Sequence, residues 1–366
     1  MFKGIAMSSL TGNKGEWSEI YTLFKVLSDK CLYPGDENLN QIESLIYPIV
    51  QVLRTESSGS YEYSINQDLV IVTSKQRELI RIPVVAFQAK AVQLLEKIQS
   101  EGGTFSSPDI EAFMKKVYCT SLKAQSSSKT DITIVIHDKR TNQKPTLGFS
   151  IKSQVGSPST LLNAGKTTNF QYKITGKKLS AKEVDAINSI SGRSKIKERV
   201  KAIHKASCLL GFVRVKNDTF SDNLVLIDSA LPQIVASMVL KFYCTNLSKT
   251  SDLLCSIEED NLLDFNTNGH PFYSYKIKNL YTDVALGMTP AKVWDGKYDA
   301  TGGYLIVKRD GDVVCYHIYE KNEFESYLIN NTKFETASSS RHDFGEIYSE
   351  EGSLYMNLNL QIRFIK

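Results

Sequence analysis

The chain has no run of about 18 apolar residues, so no segment qualifies as a transmembrane helix by length and composition. Its opening, MFKGIAMSSL, is too short and too polar for a secretory signal. The six cysteines, Cys31, Cys119, Cys208, Cys244, Cys255 and Cys315, are scattered without C-x-x-C spacing. That argues against a structural zinc site and fits reduced thiols in a cytoplasm. The five histidines form no H-E-x-x-H or other metal pair. There is no G-x-G-x-x-G and no G-K-S/T phosphate loop, which argues against an ATP-driven enzyme or a cofactor-dependent methylase. No internal repeat or long low-complexity linker divides the chain, so domain boundaries are soft. The net charge of +4 is only mildly basic. It permits nucleic-acid binding without indicating it, because an acidic metal site and one basic face can coexist in a near-neutral total.

What is present suits a mixed α/β protein. At 366 residues the chain can bury one large core or two smaller ones. Trp17, Ile20, Tyr21, Phe24 and Leu27 recur at helical spacing, predicting a helix over 16–28. Glu16 and Glu19 lie one turn apart beside that stripe, where acids are also favoured by the helix dipole alone. Further helices are expected at 40–52, 83–98, 107–119, 231–243 and 322–330. Strands are expected at 61–72 as a pair around Asn66-Gln67, at 224–227, at 304–307 and 313–318 around Asp310-Gly311, and at 354–365. Ser180 and Glu183 form a capping box, and beyond Gly192 comes a basic helix with Lys195, Lys197, Arg199, Lys201 and Lys205. A solvated face is the ordinary reading of such a charge run; phosphate contact is the functional one.

The most informative stretch follows the polar loop Gln125–Ser128. Ile132, Ile134 and Ile136 share one strand face; Leu147, Phe149 and Ile151 share one face of a second strand. Ser150, Lys152 and Gln154 share its polar face. A turn centred near Asn142 places Asp131 beside Lys152. Spacing alone leaves two readings: a solvated ion pair of small worth, or the core of a metal-dependent phosphodiester hydrolase, with the carboxylate on a divalent cation and the ammonium offsetting charge.

The residues around this hairpin resemble the HpaII family of type II restriction endonucleases. The resemblance is carried by Lys129-Thr130-Asp131, Ser150-Ile151-Lys152-Ser153, Ser159 to Ala164 (STLLNA) and Thr168-Asn169-Phe170. The opening GEWSEIYTLFKVLSD and the closing LNLQIRF agree with it. It implies a PD-(D/E)XK nuclease core, a mixed sheet flanked by helices, with additional α+β DNA-recognition elements. The implied regions are a helical part at 1–125, a catalytic core at 126–260 and an α+β part at 261–366 completing a DNA cleft.

The sequence departs from that motif at Thr130, where proline is usual, and at Ser150, where the second acid should stand. A hydroxyl is a poorer ligand for a hard cation than a carboxylate, so the missing charge is sought in Glu19, with Glu16 as second choice. The pair Pro108-Asp109 reads instead as a helix start. The resemblance thus implies Mg²⁺ on Asp131, Glu19 and the Ile151 carbonyl, with Lys152, Ser150 and Gln154 completing the catalytic set. Ser153, Ser157, Ser159, Thr160, Asn163, Lys166 and Asn169 are the implied DNA contacts; Lys276, Arg341 and Asn163 are candidates for reading base edges. The implied substrate is double-stranded DNA at CCGG, with cleavage inhibited by cytosine methylation. A cognate DNA methyltransferase, a possible homodimer, no membrane and a bacterial cytoplasm complete the expectation. Because Ser150 replaces an acid, two rivals stand beside it: a DNA-binding protein that has lost catalysis, and a structure-selective repair or junction nuclease.

Overall fold

The computed structural model describes residues 10–125, 129–316 and 318–365; Met1–Ser9, most of the Gln125–Ser128 loop, His317 and Lys366 lie outside the described residues. In chain order the first elements are β1 Thr11–Asn13, α1 Lys14–Asp29, β2 Cys31–Pro34, β3 Tyr47–Glu56, β4 Gly59–Asn66, β5 Leu69–Ser74, β6 Arg77–Pro83, α2 Val84–Ser100, β7 Thr104–Ser106, α3 Pro108–Lys116, β8 Ile132–Ile136 and β9 Thr146–Ser153. There follow β10 Thr160–Leu162, β11 Asn169–Gly176, α4 Ala181–Asn188, α5 Lys195–Lys205, β12 Cys208–Val215, α6 Asp218–Ile227, α7 Leu231–Cys244, α8 Thr250–Asp260 and α9 Phe272–Leu286. The last are β13 Gly303–Val307, β14 Val313–Tyr316, α10 Lys321–Asn330, β15 Thr332–Phe334, α11 Ser339–His342, β16 Ile347–Glu350, β17 Ser353–Asn359 and β18 Ile362–Phe364. None of the described helices is by itself long and apolar enough to cross a membrane.

Two compact units interleave along the chain: residues up to 159 with 298–327, and 160–297 with 328–365. These follow contacts, whereas the three regions read from sequence follow chain order. The first unit holds a mixed sheet in the order β2-β14-β13-β9-β8-β3-β4-β5-β6. β13 runs parallel to β9 and β14 parallel to β2; the other pairs are antiparallel. β2 also pairs with β3, which closes six of these strands into a ring. Helix α1 packs on β9 and α2. It starts at a capping box in which Asn13 Oδ1 accepts from the Glu16 N–H and Glu16 Oε2 accepts from the Asn13 N–H. It ends where Lys30 turns left-handed. Its apolar stripe is fully buried, and Trp17 stacks on Phe105 while donating to that residue's carbonyl at 3.0 Å.

In the second unit β12-β11-β17-β16 form a sheet with helices α5, α6 and α7 against it, and β10-β18-β15 form a smaller one.

Several elements differ from expectation. The expected helix over 40–52 is instead strand β3, with alternating burial from Tyr47 to Glu56. Its β-branched Ile49, Val50, Val52 and Thr55 suit the pleat better than a helix. The expected strand over 224–227 is the last turn of α6, whose start is capped by Asn217 accepting from Phe220 N–H. With no strand there, this segment does not extend the central sheet. The single terminal strand over 354–365 is two strands, β17 and β18, in different sheets. Pro108 begins α3, as expected for a helix start.

Candidate active site

Asp131 sits just before β8, and its N–H continues the ladder to the Phe149 carbonyl at 2.8 Å. Pairing of Asp138 with Gln143 centres the turn between Arg140 and Thr141 rather than at Asn142. Ile132 therefore faces Phe149, which puts Asp131 opposite Ser150 and leaves Lys152 as the next residue on that face. The expected direct pairing of Asp131 with Lys152 becomes a relay through Ser150. The Ser150 hydroxyl donates to Asp131 Oδ2 at 3.1 Å and accepts from Lys152 Nζ at 2.9 Å. The Ile151 N–H donates to the same carboxylate oxygen at 2.7 Å. One hydroxyl proton and the oxygen lone pairs supply both of Ser150's bonds.

The backbone around Asp131 leaves little slack. Thr130 donates to the Asp299 carbonyl at 2.8 Å. A Cβ on Gly148 would lie 2.7 Å from Thr130 Oγ1, so glycine at that position admits the close approach.

Helix α1 delivers Glu19 to the same groove, a recess of about 780 Å³ also lined by Asp131, Ile151, Lys152, Ser153 and Lys123. The hydroxyls of Ser18 and Ser153 are 2.9 Å apart, which ties the helix to β9 beside Glu19. Burial and then the charge of Asp131 push the Glu19 carboxyl up to about 8. Burial lowers the Lys152 ammonium, opposed by Asp131 and Glu19. Tyr304, on the neighbouring strand β13, sets its ring 5.1 Å from that ammonium. Lys129 is pushed down to about 8, first by burial and then by the charge of Lys152.

At the mouth Lys123 pairs with Glu16 at 3.3 Å. Its loop is held by a buried ion pair. Arg54 Nε donates to Glu56 at 2.6 Å and Arg54 Nη2 to the Ser121 carbonyl; Glu56 also accepts from the Thr120 and Ser121 hydroxyls.

Among the described residues no group of three or more His, Cys, Asp or Glu side chains converges as a metal site. The donors present are two carboxylates, Glu19 and Asp131, beside the backbone of Ile151. All are hard oxygen ligands of the kind Mg²⁺ takes. A carboxyl raised this far by burial and a like charge is a site that a cation would relieve.

Other residues singled out from sequence fall elsewhere. Ser157 and Ser159 line the Asp131 groove, as does Ser153. Gln154 does not; it borders a separate recess with Gln99 and Arg309. Glu16 serves the helix cap. In the second unit Thr160 lies in β10, Asn163 is exposed, and Lys166 is exposed and paired with Asp343 at 2.7 Å. Asn169 is buried, donating to the His342 and Asp343 carbonyls and accepting from Asn359. Lys276 is tied to Asp228; Arg341 is exposed on α11. In the basic helix, Arg199 is buried and donates to the Gly345 and Asn188 carbonyls. Lys197 donates to the Thr245 carbonyl at 2.8 Å and lies over Phe242. Lys129, Lys123 and Tyr304 were not singled out for roles in the site. Lys129 stands inside the motif itself, but nothing local marks Tyr304, which reaches Lys152 only through the β9–β13 pairing.

Comparison with known proteins bears on this groove. The sequence profile of the HpaII restriction endonuclease family matches residues 13–364. The chain is 50% identical over 359 residues to the type II restriction enzyme HpaII of Haemophilus parainfluenzae, covering 97% of this chain and 99% of that protein. No solved structure matches. A match of this extent, enclosing the hairpin and the helix that form the groove, means that the chain belongs to the HpaII restriction endonuclease family, whose members are type II site-specific deoxyribonucleases.

Proposed function

We propose that the chain hydrolyses phosphodiester bonds of double-stranded DNA at CCGG, through a PD-(D/E)XK-type site in which Ser150 replaces the second acid. The observation that carries this reading is the convergence of Glu19, from α1, with the Asp131–Ser150–Lys152 relay in one groove. Asp131, Glu19 and the Ile151 carbonyl are the residues that would hold Mg²⁺. Bound there, the cation would polarise the scissile phosphate and lower the pKa of an attacking water. Lys152, kept in place by Ser150 and Tyr304, orients that water and offsets negative charge on the phosphate. Ser150 itself keeps the Asp131 carboxylate and the Lys152 ammonium at a fixed separation. Glu19 supplies the negative charge that Ser150 lacks.

Ser153, Ser157 and Ser159 suit close approach of a DNA backbone, as do Thr160, Asn163 and Lys166. The buried positions of Asn169 and Arg199, and the pairing of half-buried Lys276 with Asp228, favour structural roles for them. A methyl group on cytosine C5 projects into the major groove, where it clashes with a closely packed reader. Cleavage is therefore inhibited by methylation of the inner cytosine, and a cognate methyltransferase protects the host, with both enzymes in the bacterial cytoplasm.

Digestion of a plasmid of known sequence with Mg²⁺, followed by sequencing of the ends, tests this. Discrete cuts at CCGG, lost on methylated DNA, support it. Discrete cuts elsewhere overturn the specificity alone; no cleavage favours a binding protein, and preference for branched substrates favours a junction nuclease.

A further inference from the structure

The second unit carries an open sheet face that the groove does not explain. Helices α5, α6 and α7 pack against the sheet β12-β11-β17-β16. The side away from its buried core carries Lys173 and Thr175 of β11, Leu209 of β12, Tyr355 and Asn357 of β17, and Tyr348 of β16. Lys173, Thr175 and Leu209 are exposed, and the other three are half-buried.

A β-bulge puts one more residue there. From Gly176 to Tyr172 the β11–β12 register is regular: Thr175 faces Leu209, Lys173 faces Gly211 and Tyr172 faces Phe212. Gln171 then faces Arg214 rather than Val213. Without the extra residue, strict alternation would turn Arg214 over the core beside Phe170. A one-residue slip exchanges the faces of a strand, and bulges commonly re-aim a side chain in this way. With it, Arg214 is exposed on the open face and Val215 takes the buried position opposite Phe170.

Arg214 is also held. Its Nε donates to Gln171 Oε1 at 3.0 Å. Gln171 is buried, and its amide nitrogen donates to the Tyr348 hydroxyl at 2.8 Å and to Glu350 Oε2 at 2.7 Å. A carboxylate can only accept, so the amide orientation is fixed and its oxygen must face Arg214. The Tyr348 hydroxyl lies 3.0 Å from Asn357 Oδ1, and Lys216 lies 6.0 Å over the Tyr348 ring. Gripping the guanidinium through Nε leaves its terminal nitrogens as a fork. Among the described residues no carboxylate forms an ion pair with Arg214. Lys173, Arg214 and Lys216 outweigh Glu350, so the face is positive. It continues into a cleft of about 480 Å³ where Lys195 and Lys216 stand beside Asp343 and Glu346, so the positive balance belongs to the sheet face and not to the cleft.

We propose that this face is a DNA-reading surface, in which Arg214 makes a bidentate contact to guanine O6 and N7 in the major groove and Gln171 is its positioning residue. Duplex DNA is the occupant that the charge and the mixture of arginine, amide and tyrosine fit best. Arginine to guanine is the commonest specific contact, and sheet strands can present side chains to a DNA groove. The proposal rests on the reading of the chain as a nuclease for a G·C site.

The test uses the full-length wild-type enzyme, R214A and R214K, with duplexes carrying the cleaved site, Mg²⁺, and 7-deazaguanine replacing each guanine in turn. One good bidentate pair is worth about 1–3 kcal/mol, so R214A should lower kcat/KM at the site by about 5- to 150-fold. Binding to non-specific duplex should change far less. R214K should not restore the rate, because an ammonium lacks the planar fork. At one guanine, removal of N7 should slow the wild type and leave R214A unaffected. R214A removes the donor to the buried Gln171 oxygen and should lower the unfolding midpoint somewhat, so rates are compared well below both midpoints and R214K serves as the folded control. The proposal falls if R214A cleaves at the wild-type rate, if both enzymes respond alike to every 7-deazaguanine, or if specific and non-specific binding weaken equally. A changed oligomeric state with unchanged kcat/KM would mark the face as a subunit contact and also overturn it. Failure of the wild type to cut any duplex removes the nuclease reading itself, a different result from a wild type that cuts and an R214A that matches it.

Discussion

Glu19→Gln separates a metal-binding acid from an acid that merely starts a helix. Glu19 is raised from its ordinary 4.5 to about 8, first by burial and then by Asp131. In the cation-free protein the folded state thus binds a proton that the unfolded state releases between those values. Where the folded state holds the extra proton, stability falls as pH rises. The loss is absent below pH ~4.5, grows across the interval and is complete above pH ~8. At ~1.4 kcal/mol per pH unit it reaches about 4–5 kcal/mol. Glutamine copies the protonated acid in shape and carries no charge to desolvate. In EDTA, E19Q should therefore match the wild type at pH 4 and exceed it by several kcal/mol at pH 9, read from denaturant midpoints. With Mg²⁺ the same variant should lose about 10²–10³ in cleavage rate, the usual cost of removing one preorganised electrostatic group, and need more Mg²⁺. An E19Q protein with wild-type turnover and metal dependence, and with a parallel pH–stability curve, would refute the assignment and return Glu19 to the helix terminus.

Ser150→Ala should cost less than loss of Asp131 or Lys152, because Asp131 keeps its bond from the Ile151 N–H. Single-turnover rates should fall about 10- to 100-fold, the range for supporting ligands around a metal site. Glu56→Gln should destabilise the protein by about 3–5 kcal/mol, since it strands the buried Arg54 guanidinium. Hydrogen bonds and Arg54 hold the Glu56 carboxyl below its ordinary range against burial. Its stabilising contribution is present above the ordinary carboxylate pKa and is lost as pH falls through the depressed value, so unfolding midpoints between pH 6 and 3 should be flatter in E56Q. Lys195→Ala should reduce the slope of log affinity against log salt by about one, whereas Arg199→Ala should lower thermal stability, because the buried Arg199 bonds two backbone carbonyls rather than facing solvent. An unchanged slope in K195A, or an unchanged melting temperature in R199A, counts against those placements.

The readable parts of the chain were those whose chemistry is local. The α1 stripe and the β8–β9 faces follow from periodicity, whereas the choice of Glu19 rests on the family resemblance and the acid missing at Ser150. Lys152 lies on the predicted face even though the register was two residues off, because a two-residue slip keeps every side chain on its side. A short apolar run such as Leu224–Ile227 does not distinguish strand from helix by pattern alone, and here the Asn217 cap decides it. In β3 the paired neighbours β4 and β8 override an apparent helical spacing. The least legible features depend on partners far along the chain. Tyr304 reaches Lys152 only because β13 returns beside β9, and Arg214 faces outward only because a bulge forms against β11. The spacing of a single strand carries neither fact.

The central claim is that Asp131 and Lys152, joined through Ser150, form the site of phosphodiester hydrolysis. Single-turnover cleavage and equilibrium binding of one cognate duplex, measured on D131A and K152A beside the wild type, test it most directly. Cleavage should fall below detection in both variants with Mg²⁺ present, while cognate binding stays within a few-fold of wild type, because both residues act on the phosphate rather than on base edges. Near-normal turnover in either variant would contradict the account.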